Sequence, residues 1–299
     1  MSSAVLTTLV DDFTARHALR AGSFIVTFYG DVILPRGGSV WIGNVIEMCR
    51  VVGINESQAR TAISRLTEAG RLTGLRSGRR SFYHLTDAAA AEFEAAAHAI
   101  HGPGAAPEDA SWTLVKVSGD AAGVLATLGG RGFGHIGPAM VLKPGDCRAE
   151  VHSTLGASRH SVLFAAHPEE LSAGSLAELA ADTWDLDGLS AVYADFAHRF
   201  QPLTAAFDAG QRLGGAESLV ARLLLVHEFR RIALRDPGLP ASALPADWAG
   251  TAARALFRRC YDRLTPVAER HVLGHFVDAE GPLRPVPRVP RIARSSNAA

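Results

Sequence analysis

The stretch from Gly43 to Leu85 constrains this chain most. Val45, Ile46 and Cys49 share one face at helical spacing, which predicts a helix over 43–52 that Gly53 breaks. Asn55 is a good N-cap, and Gln58 stands three residues later as in a capping box. A second helix is therefore predicted from Glu56 to Ala69, burying Ala59, Ile63 and Leu66 and ending at Gly70. Helix, glycine turn and helix at this spacing form a helix-turn-helix. Leu72 to Leu75 and Ser81 to Leu85 then read as two short strands around the turn Arg76-Ser77-Gly78-Arg79-Arg80. A basic hairpin directly after a helix-turn-helix is a wing.

The charge pattern agrees with contact to a polyanion. Formal net charge is zero and the sequence pI is about 7.2, which excludes a uniformly basic coat. Residues 50 to 85 nevertheless hold seven arginines (50, 60, 65, 71, 76, 79 and 80) against Glu56 and Glu68, a local excess of five positive charges. The second helix turns Ser57, Gln58, Arg60, Thr61, Ser64 and Arg65 away from its apolar face. Arginine pairs bidentately with guanine and glutamine with adenine, while hydroxyls suit phosphates near a helix N-terminus. Arg76, Arg79 and Arg80 at the hairpin tip would reach backbone or minor groove. Double-stranded DNA is the expected partner of this segment.

The rest of the chain divides by composition. Its 299 residues suggest two or three domains, and 47 % hydrophobic residues supply real cores. An amphipathic stretch occupies residues 1–20, with Gly22 as a candidate cap. Phe24, Ile25, Phe28, Tyr29 and Val32 fall on one helical face, with a strand as the alternative. LPRGGS at 34–39 is a loop, and Val40 to Ile42 a short strand. Thr86 should cap an alanine-rich helix to about Ile100, and HGPGAAPEDA at 101–110 is a linker. Residues 111–183 mix strands and helices: Trp112–Val117, Ala139–Leu142 and Val162–Ala165 are expected strands, Ala121–Leu128 a helix. A ferredoxin-like β-α-β-β-α-β sandwich fits, with Leu176–Asp182 as its second helix. Leu189–Phe200, Ala216–Arg235 and Thr251–Phe276 are strong helices of a domain spanning 184–280, and the Pro- and Arg-rich residues 281–299 read as a disordered tail. The expected fold class is thus α+β and multidomain: a winged helix-turn-helix domain at 1–100, a central α/β sandwich at 111–183 and a helical C-terminal domain.

Enzyme signatures are thin, and no catalytic activity, metal or cofactor is expected. His271 and His275 have the i, i+4 spacing of metal ligands, but position 272 is Val where a zinc protease has Glu. The glycines from Gly129 to Gly134 follow a helical segment rather than a strand, so they fail the dinucleotide context. No Ser sits in a G-x-S-x-G elbow. Cys49, Cys147 and Cys260 form neither a metal spacing nor a disulfide framework, which predicts a reducing compartment. The acidic N-terminal residues are wrong for a signal peptide, and no apolar run approaches a membrane span, so a cytoplasmic protein is expected. One further cluster merits attention. On the helix around Leu223, Val226 and Leu234, the polar side brings His227, Arg230, Arg231 and Arg235 close enough to clamp an acidic ligand, or to pair with Glu228 and Asp236.

Phe28-Tyr29-Gly30-Asp31, Pro35-Arg36-Gly37-Gly38, Trp41-Ile42-Gly43, Arg60 through Leu66, and Gly78 through Tyr83 form a pattern that resembles the PaaX family of bacterial phenylacetate-catabolism repressors. It continues at Trp184-Asp185-Leu186, Tyr193 to Phe196, His227 through Arg231, Arg235-Asp236-Pro237, Leu239-Pro240 and Leu244 through Gly250, covering roughly residues 20–275. It implies a winged helix, a ferredoxin-like middle domain and a helical end. It also implies a homodimer that represses aromatic-acid catabolic genes and releases operator DNA on binding an aryl-acyl-CoA, notably phenylacetyl-CoA. The family's functional residues carry over at Arg60, Ser64, Arg65, Arg79 and Arg80. The middle segment departs from the pattern: the helix over 121–128 is uncharged where relatives carry arginines, and Met140 stands where a tryptophan is common. Two other readings fit less well, namely an acyl-CoA-dependent enzyme fused to a DNA module, and a scaffold whose winged helix binds protein. A regulator of another pathway with a different acidic effector is the nearer alternative.

Overall fold

The structure, a computed structural model, describes residues 4–16, 19–108, 110–119, 122–155 and 161–286. The chain forms two units, and neither is continuous in sequence. The first comprises the described parts of Met1–Glu94, Leu213–Leu223 and Leu264–Ala299; the second comprises those of Ala95–Arg212 and Leu224–Arg263. The architecture is α+β.

In the first unit, α1 (Ala4–Arg16) buries Leu6, Leu9 and Phe13 at helical spacing. The next helix, α2 (Ala21–Phe28), runs on through a π-helical turn at Tyr29–Ile33 and a 3₁₀ turn at Leu34–Arg36. Gly22 lies inside α2 with ordinary backbone geometry and does not cap α1; the apolar run 24–28 extends helix over it. Phe24, Ile25, Phe28, Tyr29 and Val32 are all buried, so helix prevails over strand here. Each such side chain contributes roughly 1.5–3 kcal/mol by leaving water. Gly37 and Gly38, at φ 97° and 77°, turn the chain into β1 (Ser39–Trp41).

Then follow α3 (Ile42–Val51) and α4 (Glu56–Glu68). Gly53 separates them at φ 79°, a left-handed conformation glycine adopts without a steric cost. The hairpin of β2 (Leu72–Ser77) and β3 (Arg80–Leu85) completes a three-stranded antiparallel sheet in the order β1-β3-β2. Leu72 pairs with Leu85 and Ser77 with Arg80, so the hairpin is longer than its sequence suggests. Only Gly78 and Arg79 form the loop, and Gly78 takes φ 59° at the first central position of a two-residue turn. Arg76 and Arg80 therefore belong to the strands, because backbone pairing continues through them. Next comes α5 (Asp87–His101), where the Thr86 hydroxyl accepts from the Ala89 amide at 3.3 Å.

The second unit contains β4 (Trp112–Val117), α6 (Ala122–Gly129), β5 (Gly134–His135), β6 (Met140–Pro144), α7 (Arg148–Leu155) and β7 (Ser161–Ala166). The order is β-α-β-β-α-β, and the antiparallel sheet runs β5-β6-β4-β7. Its second helix is α7 and not Leu176–Asp182 as the sequence pattern suggested. Only Val151 of α7 is fully buried, so the segment shows almost no apolar periodicity. Val115, Val117, Leu125, Leu128, Val141 and Val151 form the core on one face of the sheet. Trp112 and Leu142 on the other face pack with Ala180 of α8 (Ser175–Thr183) and with Leu186, Leu239 and Ala243.

Three long helices follow: α9 (Leu186–Asp208), α10 (Gly215–Ala233) and α11 (Ala249–His275). Asp185 caps α9 by accepting from the Gly188 amide at 2.9 Å. In the second unit the α9, α10 and α11 aromatics pack together, with Phe229 and Phe257 stacked at 4.1 Å. The residues after α11 are not a free tail at first. Leu283 is buried in the first unit, and its amide donates to the Phe276 carbonyl. Residues 287–299 of the expected tail lie outside the described residues.

Candidate nucleic-acid interface

The exposed face of α4 follows from its own sequence. Asn55 takes an extended backbone, its side-chain oxygen accepts from the Gln58 amide at 2.9 Å, and the Gln58 side chain accepts from the Asn55 amide at 2.9 Å. The capping box thus fixes the first turn, and Ala59, Ala62 and Ile63 anchor the inner face. Ser57, Gln58, Arg60, Thr61, Ser64 and Arg65 are all exposed, as the pattern predicted. Gln58 is partly committed, however, because its carbonyl serves the cap.

Intrahelical ion pairs hold part of this face. Glu56 accepts from Arg60 Nε and a terminal guanidinium nitrogen at 3.0 and 2.9 Å, and also pairs with Arg50. These contacts, led by the Arg60 hydrogen bond, hold its carboxyl below the usual range. Ser64 donates to Glu68 at 2.9 Å, and Arg71 pairs with Glu92 at 3.0 Å. Among the described residues, no carboxylate lies within ion-pair distance of Arg65, Arg76 or Arg79. Arg76 stands on β2, Arg79 at the loop and Arg80 on β3, all exposed. The Arg80 guanidinium lies over the Trp41 ring, 5.0 Å from its centroid.

These comparisons with known proteins concern the same segments. The family model described as PaaX-like protein matches residues 20–89. A second, described as PaaX-like protein C-terminal domain, matches residues 184–274. The chain is 33 % identical over 271 residues to "Transcriptional repressor PaaX" of Escherichia coli (strain K12), covering 86 % of each chain. The chain belongs to the PaaX-like family. Among solved structures it is similar to "Uncharacterized protein Rv0674 from Mycobacterium tuberculosis", with a TM-score of 0.45 and 23 % identity over 76 % of this chain and 89 % of that one. The first PaaX-like match spans the helices and hairpin just described.

The second PaaX-like match covers the other candidate cluster. His227, Arg230 and Arg231 lie on α10, and Arg235 follows its end. His227 is buried; burial first, then the charges of Arg230 and Arg231, push its pKa down to about 3. It is a neutral imidazole at neutral pH. Arg231 and Arg235 are exposed and Arg230 is half-buried. Glu228 accepts Arg199 at 2.9 Å and lies 3.7 Å from Arg231, so ion pairing consumes part of the cluster. Asp236 turns elsewhere, taking a hydrogen bond from Arg254 at 3.0 Å and one from the Tyr193 hydroxyl.

Sequence reasoning missed two buried polar groupings. One is Tyr193, Asp236 and Arg254 in the second unit. The other, in the first unit, joins Asp31, Arg36, Arg222 and Glu269. Arg222 is 1 % exposed, lies 2.9 Å from Asp31 and donates to Glu269 at 2.8 Å; Arg36 also pairs with Glu269. The available signal was the acidic and basic residues of Phe28-Tyr29-Gly30-Asp31 and Pro35-Arg36, set inside an otherwise apolar stretch. No helix of the described residues is long and apolar enough to cross a membrane, and none of them cluster as three or more metal-ligating side chains.

Proposed function

We propose that this chain is a DNA-binding transcriptional repressor of an aromatic-acid, phenylacetate-type catabolic operon, acting as a homodimer and released by an aryl-acyl-CoA such as phenylacetyl-CoA. In this reading α3, α4 and the β2–β3 hairpin work as a winged helix-turn-helix, and the sheet of the second unit is ferredoxin-like. One observation carries it: a capped helix presents Ser57, Arg60, Thr61, Ser64 and Arg65 to solvent immediately before a hairpin bearing Arg76, Arg79 and Arg80. Short hydroxyls and forked guanidiniums on one helix face match base edges and phosphates of the major groove. The relative named as a transcriptional repressor supports the same role.

Two copies would place two such helices in successive major grooves of a palindromic operator. Arg60 and Arg65 would meet bases or phosphates, and Arg76, Arg79 and Arg80 the flanking backbone. His227, Arg230, Arg231 and Arg235 are the proposed contacts for the acidic effector. The effector releases DNA only by as much as it prefers the conformation that binds DNA poorly.

A mobility-shift titration on the DNA flanking the protein's own gene tests this, with and without phenylacetyl-CoA. Tight, salt-sensitive binding released by the thioester is the expected result. Binding indifferent to the thioester would reject the effector and keep the regulator. No preference for that DNA over unrelated duplex would reject repression at its own locus.

A further inference from the structure

Trp41 ends β1 and pairs across the sheet with Phe82. Arg80 stands two residues before Phe82 on β3, hence on the same side of the sheet. Its guanidinium carbon lies 5.0 Å from the centre of the indole, which is itself only half-buried. The ring is also closely approached by the start of α3. A Cβ placed on Gly43 would meet three Trp41 ring atoms at 2.4–2.5 Å. Gly43 lies in the first turn of α3 with ordinary helical backbone, so its glycine is not required by conformation. It is required by the indole. The ring thus lies against the start of α3 and under an exposed arginine at the tip of the hairpin, beside its two-residue loop.

A lone arginine on a hairpin samples many rotamers, and binding must freeze them. An arginine already resting on an aromatic face has lost that freedom beforehand. We propose that Trp41 is a positioning residue for Arg80: its ring holds the guanidinium pre-organised for a DNA phosphate, and Gly43 is the vacancy that lets the ring lie there. This rests on the reading of the hairpin as a DNA contact.

The test is a double-mutant cycle on the full-length protein. Affinity and its salt dependence are measured on a short duplex of arbitrary sequence and on the DNA flanking the gene. Arg80→Ala should weaken both and lower the salt slope by about 1. Trp41→Leu should weaken both by roughly two- to five-fold, the scale of one exposed cation–π contact. In the Arg80→Ala background it should cost nothing more. Trp41→Phe should restore most of the loss, and Gly43→Ala, which drives the ring from its place, should copy Trp41→Leu. Circular dichroism checks folding; if Trp41→Leu fails it, Gly43→Ala takes its place in the cycle. Losses that multiply in the double variant, or a Trp41→Phe variant as weak as Trp41→Leu, would overturn the proposal. Wild-type affinity for Arg80→Ala would instead remove the hairpin contact itself, and the proposal with it.

Discussion

Arg222 of α10 and Asp31 of the π-helical turn after α2 form an ion pair at 2.9 Å in which both side chains are 1 % exposed. They are 191 positions apart in the chain, by subtraction of their numbers. Glu269 of α11 joins the same guanidinium at 2.8 Å and accepts Arg36 as well. Burial raises the Glu269 carboxyl, but the hydrogen bonds and charges of Arg222 and Arg36 outweigh it and leave the group below the usual range. Two cations and two carboxylates therefore share one largely buried site in the first unit, with Glu269 at its more exposed edge.

Removing Arg222 from such a site takes the shared counter-charge from both carboxylates and leaves Glu269 with Arg36. Arg222→Met should destabilise the protein by about 3–5 kcal/mol, since Asp31 and Glu269 lose their shared counter-charge. Replacing Asp31 by Leu in the same chain should recover part of that loss, because the stranded charge goes with it. Urea denaturation followed by circular dichroism gives both values. Equal stability of Arg222→Met and wild type would show that the ion pair does not hold the segments together.

The legible parts of this fold are those governed by local periodicity. The α3–α4 pair was readable because Gly53, Asn55 and Gln58 mark its turn and cap, whereas the apolar stretch from Phe24 to Val32 fitted a helical face but left a strand open. The exposed polar residues of α4 followed directly, as the complement of Ala59 and Ile63 on one helix. The errors have physical causes too. The helix α7 offers a single buried residue, Val151, so periodicity had nothing to detect. The Arg222 site depends on three distant segments meeting, and no local pattern encodes that. The His227 cluster was legible as a set of residues, whereas the diversion of Glu228 to Arg199 on α9 was not.

The burial of His227 has a pH signature. Its pKa is depressed to about 3 in the folded protein, from 6.5 when free. Between those values the unfolded chain takes up a proton that the folded chain refuses, so stability falls as pH falls through that window. The slope is about 1.4 kcal/mol per pH unit for one group. Relative to His227→Gln, the wild type should lose about 2 kcal/mol between pH 7 and pH 5. Urea midpoints of both proteins at the two pH values provide the comparison. Parallel losses would mean that the imidazole is accessible to protons in the folded state.

The capping box of α4 should carry measurable weight. Asn55→Ala removes the acceptor for the Gln58 amide and should cost about 0.5–2 kcal/mol. Asn55→Asp keeps the acceptor and should keep the stability, while placing one more negative charge beside the face proposed to meet DNA. A tighter DNA complex for Asn55→Asp than for wild type would contradict the orientation assigned to α4. Thermal denaturation and DNA titration of the same samples separate the two effects.

Glu56 gives the last and sharpest contrast. It occupies the first turn of α4 and pairs with both Arg50 and Arg60, so in the proposed reading it subtracts from the positive charge offered to DNA. Glu56→Gln should tighten binding to arbitrary duplex at low salt, with the advantage shrinking as salt rises. Arg65→Ala should act in the opposite sense, weakening binding by about 1–3 kcal/mol if the guanidinium reads a base. The two can be told apart by sequence: loss of a base contact relaxes discrimination at one operator position, whereas release of Arg60 strengthens all sequences alike. Titrations against a set of single-base operator variants at two salt concentrations decide between them. A Glu56→Gln protein that binds DNA no more tightly than wild type would mean that this end of α4 faces away from the duplex.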